Sequence, residues 1–142
     1  WVWVVAHSGI PRATGDAVRA VGARFAQPDG PALLDQFRAV ATDGIRAIGA
    51  GDRTTVATLM NRNQELLREV GVSHPRLEAL LEAARPCADG AKLTGAGAGG
   101  SIVVLPRPGS ETDLVRRLAR AGGLPFVVRP SPTGVGLVDG PA

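Results

Sequence analysis

The chain has 142 residues, a hydrophobic fraction of 44% and a formal net charge of +3, the dimensions of one domain with enough chain to bury a core. Almost all the positive charge is arginine, with Lys92 the only lysine, and aromatics reach only 4% with no tyrosine. Little is left on which to stack bases, which argues against a nucleic-acid binder. The single Cys87 excludes an internal disulfide and fits a reducing compartment, no apolar run approaches the roughly 20 residues that span a bilayer, and no signal peptide is visible.

The chain opens without methionine inside an apolar run, Trp1–Ala6, which reads as a buried strand and as a continuation of something upstream. A polar loop over residues 7–12 leads to a helix from Thr14 or Gly15 to Phe25, with Val18, Val21 and Phe25 expected on its buried face. The Gln27–Pro31 segment breaks it. The next helix is expected over residues 32–50, burying Leu33, Phe37, Val40, Ile45 and Ile48. Asp52 is a good N-cap for a third helix to Val70, closed by Gly71. In that helix Val56, Leu59, Met60, Leu67 and Val70 form one stripe, and Asn63 falls on it.

Ser73 and Pro75 predict the start of a fourth helix, with Ser73 as cap and Leu77, Leu80, Leu81 and Ala84 buried. A short strand around Ala91–Leu93, a strand Ser101–Leu105, a helix Ser110–Ala121 and two strands at Phe126–Val128 and Gly134–Val138 complete the order. This sequence of elements predicts an α+β fold, a ferredoxin-like antiparallel sheet with helices packed on one face and an inserted helical section.

The segment with most information is Lys92–Ser101, which holds four glycines in the six residues 95–100. Glycine at this density costs chain entropy and packs no side chain, so the bare backbone must approach something closely. Two readings stand: an anion held on backbone N–H groups, or a structural turn between strands. Gly95, Gly97 and Gly100 satisfy the spacing of a dinucleotide loop, but a strand follows them where that loop needs a helix. The Walker A pattern fails because Lys92 precedes the glycines. Lys92 itself reads equally as a phosphate ligand or as a strand residue with its head in solvent.

Three segments carry a resemblance: Ser8–Thr14 (SGIPRAT), Leu59–Ser73 (LMNRNQELLREVGVS) and Gly90–Gly100 (GAKLTGAGAGG). In order and spacing they resemble the C-terminal half of the GHMP small-molecule kinases, those acting on mevalonate in particular. The resemblance implies ATP-dependent transfer of a phosphoryl group to the hydroxyl of a small hydroxy acid, in the cytoplasm, by an enzyme that uses Mg2+ and in some members forms a homodimer. It implies that the ATP-phosphate loop, the magnesium ligands and the catalytic aspartate belong to an N-terminal domain absent from this chain. The 142 residues then form a single C-terminal domain with no catalytic or metal-binding residue of their own, inactive alone. Thr94, Gly95, Ala96, Gly97, Gly99 and Gly100 are carried over as a loop shaping the phosphate and substrate site.

Arg12, Thr14 and Lys92 are candidates for the substrate side, Arg12 because guanidinium grips a carboxylate with two parallel hydrogen bonds. The competing roles are a surface ion pair for Arg12 and a helix N-cap for Thr14. The chain departs from the family pattern at Ala98, where the family has glycine, at Ser101, where it has cysteine, and at Gln64, where it has histidine. Another kinase of the family, for phosphomevalonate or a sugar, or a stand-alone non-catalytic ligand-binding domain, are the alternatives.

Overall fold

The computed structural model describes residues 1–11 and 14–131. The elements are β1 (Trp3–His7), α1 (Thr14–Phe25), α2 (Gly30–Gly49), α3 (Arg53–Glu69), α4 (Pro75–Ala84), a 3-10 turn at Arg85–Cys87, β2 (Ala88–Thr94), β3 (Ser101–Pro106), α5 (Glu111–Arg120) and β4 (Leu124–Val128). The expected strand at residues 134–138 lies outside the described residues, as does Arg12.

The four strands form one antiparallel sheet in the order β2-β3-β1-β4. This is the expected α+β architecture. Strand alternation puts Val4, Ala6, Leu93, Ile102 and Val104 on one face, where they are all but inaccessible and join Leu77, Leu80 and Leu81 of α4 with Leu114 and Leu118 of α5. A second, smaller core sits with α2 and α3, where Ala47, Val56, Ala57 and Met60 pack with Leu105, Trp3 and Val103. The α2–α3 pair therefore wraps the β2 edge and covers part of the second face as well.

Side chains of α3 close that edge. Asn61 donates Nδ2 to the Asp89 carbonyl at 3.1 Å and accepts the Ala91 N–H at 3.0 Å. One helical turn on, Gln64 Oε1 accepts the Leu93 N–H at 2.8 Å. Three backbone groups along the outer side of β2 are thus paired by two amide side chains.

Several boundaries and faces differ from the sequence reading. Asp52 caps α3 as expected, accepting the Thr55 N–H at 3.0 Å. For α4 the cap is His74, whose Nδ1 accepts the Arg76 N–H at 3.1 Å, because Pro75 takes the first helical position. Ser73 instead turns its hydroxyl to the Glu78 carboxylate. Val18, Ile45 and Ile48, expected in the core, are 62%, 73% and 59% exposed. The inward stripe of α2 runs through positions 33, 37, 40, 44 and 47 in steps of three and four, and Ile45 falls off it. Strand β2 is longer than its apolar centre, starting at Ala88 with an irregularity between Ala88 and Gly90.

Candidate functional site

The glycine loop, residues 95–100, joins β2 to β3. Gly95, Gly97, Gly99 and Gly100 all have positive φ, and so does Ala98 at 55°. Part of what the bare backbone approaches is the protein itself. A Cβ on Gly97 would lie 2.4 Å from the Val72 carbonyl oxygen, and one on Gly99 2.9 Å from the Pro11 carbonyl oxygen. The Ala98 N–H donates to Val72 O at 2.7 Å, the Gly100 N–H to Ile10 O at 3.1 Å, and the Ser8 N–H to Gly100 O at 2.7 Å.

The loop is therefore clamped between the turn after α3 and the segment after β1. Described residues of all three segments singled out in the sequence meet here: Ser8, Ile10 and Pro11 of the first, Val72 of the second and the glycine loop of the third. Among the described residues, the N–H groups of Gly95, Ala96, Gly97 and Gly99 have no such backbone acceptor. Gly95 is exposed and Ala96 half-buried, whereas Gly97 and Gly99 are buried. The donors open to a ligand are thus those of Gly95 and Ala96, at the end nearest Thr94.

Ala98 holds a left-handed conformation that costs a residue with a Cβ about 1 kcal/mol. Ala98→Gly is expected to raise the urea midpoint, corresponding to a stability gain of about 0.5 kcal/mol once the greater freedom of glycine in the unfolded chain is subtracted. A lowered midpoint would show that the alanine methyl makes compensating contacts.

Cross-strand register sets a polar row beside the loop. Thr94 pairs with Ser101, and Ser101 with His7, so the three side chains share one face of the sheet. His7 Nδ1 accepts the Gly9 N–H at 3.0 Å, which leaves Nε2 as the nitrogen that carries the proton in the neutral ring. Sequence reasoning gave His7 and Ser101 no role. The signal available was strand alternation, which placed both on the face of Thr94 once the pairing was known.

Thr14 begins α1 and is exposed, four residues after Ile10, whose carbonyl holds the loop. Lys92 shares the sheet face of Thr94, one same-face cross-strand pair further from the loop. Its ammonium donates to Leu93 O at 2.7 Å and lines a recess with Trp3, Met60 and Asn63 that includes no residue of the glycine loop. Burial lowers the Lys92 pKa below the ordinary lysine value.

A hydrogen-bond network anchored on the buried Gln64 supports the loop from behind. Gln64, 3% exposed, donates Nε2 to Glu78 Oε1 at 3.1 Å while its Oε1 holds the Leu93 N–H. Glu78 also receives Arg68 through Nε at 2.9 Å and NH2 at 2.7 Å, and the Ser73 hydroxyl. The Arg68 hydrogen bond, aided by those of Ser73 and Gln64, overcomes desolvation and holds the Glu78 carboxyl below the usual range. Leu93 precedes Thr94, and Ser73 follows Val72, so one network fixes both the strand that enters the loop and the turn that clamps it. Asn63, on the apolar stripe of α3, is half-buried in the Lys92 recess.

Among the described residues no group of three His, Cys, Asp or Glu side chains is placed to hold a metal ion, and no helix is long and apolar enough to cross a membrane.

Comparison with known proteins identifies this arrangement. A family model described as GHMP kinases C terminal matches residues 45–124. The mevalonate kinase of Pyrococcus horikoshii is 43% identical over 83 residues, 58% of this chain and 24% of that protein. The mevalonate kinase of Methanothermobacter thermautotrophicus is 35% identical over 120 residues, 82% of this chain and 39% of that protein. Among solved structures, L. major mevalonate kinase in complex with R-mevalonate superposes with a TM-score of 0.79 at 29% identity, covering 92% of this chain and 43% of that one. The chain thus spans less than half the length of each of these relatives. With the family model covering more than half of its residues, including the whole glycine loop and the turn after α3 that clamps it on one side, the chain belongs to the GHMP kinase C-terminal family.

Proposed function

We propose that this chain is the C-terminal domain of an ATP-dependent mevalonate kinase, with the N-terminal domain supplying the catalytic groups. The observation that carries the reading is the convergence of Ser8, Ile10, Pro11 and Val72, from the first two segments, on the glycine loop of the third, in a chain similar over most of its length to a mevalonate kinase crystallised with R-mevalonate.

Phosphoryl transfer asks a protein chiefly for positioning and for donors aimed at developing negative charge. Gly95 and Ala96 supply backbone N–H groups for phosphoryl oxygens without side chains in the way. Thr94 and Ser101 supply hydroxyls on the adjoining sheet face. Arg12, immediately beyond the segment that holds the loop, pairs with the substrate carboxylate, and Thr14 offers a hydroxyl to the same end of the substrate. ATP supplies the transferred phosphoryl group.

The test is kinetic and uses the full-length protein that carries this chain. ATP-dependent phosphorylation of mevalonate is expected, and Arg12→Ala should raise the KM for mevalonate roughly tenfold or more, the value of a lost charge-assisted pair. The 142 residues alone should show no turnover. Activity on a different alcohol but not mevalonate would overturn the acceptor assignment. ATP turnover by the isolated chain would overturn the placement of the catalytic groups in the other domain.

A further inference from the structure

The recess around Lys92 is separate from the glycine loop. It lies between α2, α3 and the second face of the sheet, has a volume of about 280 Å3, and is lined by Trp3, Val40, Val56, Met60 and Val103 around Lys92. Asn63 is the only other side chain of its lining with a polar group besides the Trp3 indole, and no carboxylate lines it. The ammonium has three donors, of which the Leu93 carbonyl takes one. No ion pair to Lys92 occurs among the described residues. A cation partly withdrawn from water without a counter-ion is costly, and a bound anion would offset that cost.

We propose that this recess is a second ligand site, which takes a small aliphatic monocarboxylate. The carboxylate pairs with the Lys92 ammonium, with Asn63 as a further donor, and the tail lies against Trp3, Val56 and Met60. The commitment to an anion rests on charge complementarity: the only charged side chain of the lining is a lysine. The commitment to a small ligand rests on volume, which is below the roughly 300 Å3 at which sites for drug-sized molecules begin. The lowered pKa of Lys92 is the mark of an ammonium short of stabilising partners.

The experiment needs neither ATP nor mevalonate, so its failure leaves the kinase reading untouched. The full-length protein that carries this chain is used, with Trp3 in the lining as the reporter, isolated by Trp1→Phe because the two indole rings lie 6.2 Å apart, and by phenylalanine at every tryptophan outside these residues. Octanoate should shift its emission saturably, and 1-octanol should bind at least about tenfold more weakly, the minimum for losing a hydrogen bond between charged partners. Lys92→Met keeps the stem and removes the charge, and should abolish the preference for octanoate. Gly44→Leu offers a second variant: a Cβ there meets nothing within 4 Å and Gly44 lines the recess, so leucine fills the space while favouring the helix. It should remove binding of both probes with the circular dichroism unchanged. Equal affinity for octanoate and octanol, no saturable shift, or undiminished octanoate binding by Gly44→Leu would each overturn the proposal.

Discussion

Gly97→Ala is expected to cost roughly 2–4 kcal/mol and to lower the thermal midpoint by about 10 °C for a domain of this length. Two terms add. The native φ of 80° is worth about 1 kcal/mol against a residue with a Cβ. The added methyl must then displace backbone, because its nearest neighbour, at 2.4 Å, is the Val72 carbonyl oxygen, and overpacking of this kind costs about 1–3 kcal/mol. That same oxygen accepts the Ala98 N–H, so relief of the overlap strains the clamp on the loop. Gly109 is the control: its φ is 81° and a Cβ there meets nothing within 4 Å. Gly109→Ala should lose only the backbone term, about 1 kcal/mol. If the two variants melt alike, Val72 yields freely and the loop is not clamped as described.

Gln64→Leu should rank second, at about 3 kcal/mol. The substitution nearly conserves volume, so a cavity contributes little. The loss comes from the buried Leu93 N–H, left with no acceptor at about 1–3 kcal/mol, and from the hydrogen bond withdrawn from Glu78. Chemical denaturation measures the total. Hydrogen exchange at Leu93 separates the first part, since its amide should lose protection before that of Val104 in the neighbouring strand. Unchanged exchange at Leu93 would show that this side chain does not hold the strand.

The same network gives a pH dependence whose sign is fixed. Glu78 has its carboxyl pKa lowered in the folded state, first by Arg68, and returns to the ordinary carboxylate value when the chain unfolds. Its contribution is complete above that ordinary value, about 4.3, and is lost as pH falls through the lowered folded one. Glu78→Gln should flatten the acid limb of the stability profile. An unaltered limb would assign acid sensitivity to other carboxylates.

Elements with strong local signals were legible in the sequence. Asp52 before an apolar-periodic stretch and Gly71 after it bracket α3, and both act as caps should. The glycine segment was recognised as a place of close approach, but periodicity carries no information about the partner of that approach. Val72 and Pro11 lie 25 and 88 residues away in the chain from the glycines they press on, as the residue numbers give. For the same reason Gln64 read only as a departure from a family pattern. Its burial is visible once β2, Glu78 and α3 are placed together. Ile45 and Ile48 misled because a helix half-covered by neighbours leaves part of its apolar arc in water.

The pairing of β2 by Asn61 and Gln64 has a consequence for how the sheet meets other chains. An uncovered edge strand offers a ladder of backbone groups to any extended segment that approaches, which is the usual start of unwanted association. On the β2 side three of those groups are already engaged by α3 side chains, and the helix body occupies the approach. Among the described residues, growth of the sheet by a further strand is thereby blocked on the β2 side, so that margin is closed by the fold itself.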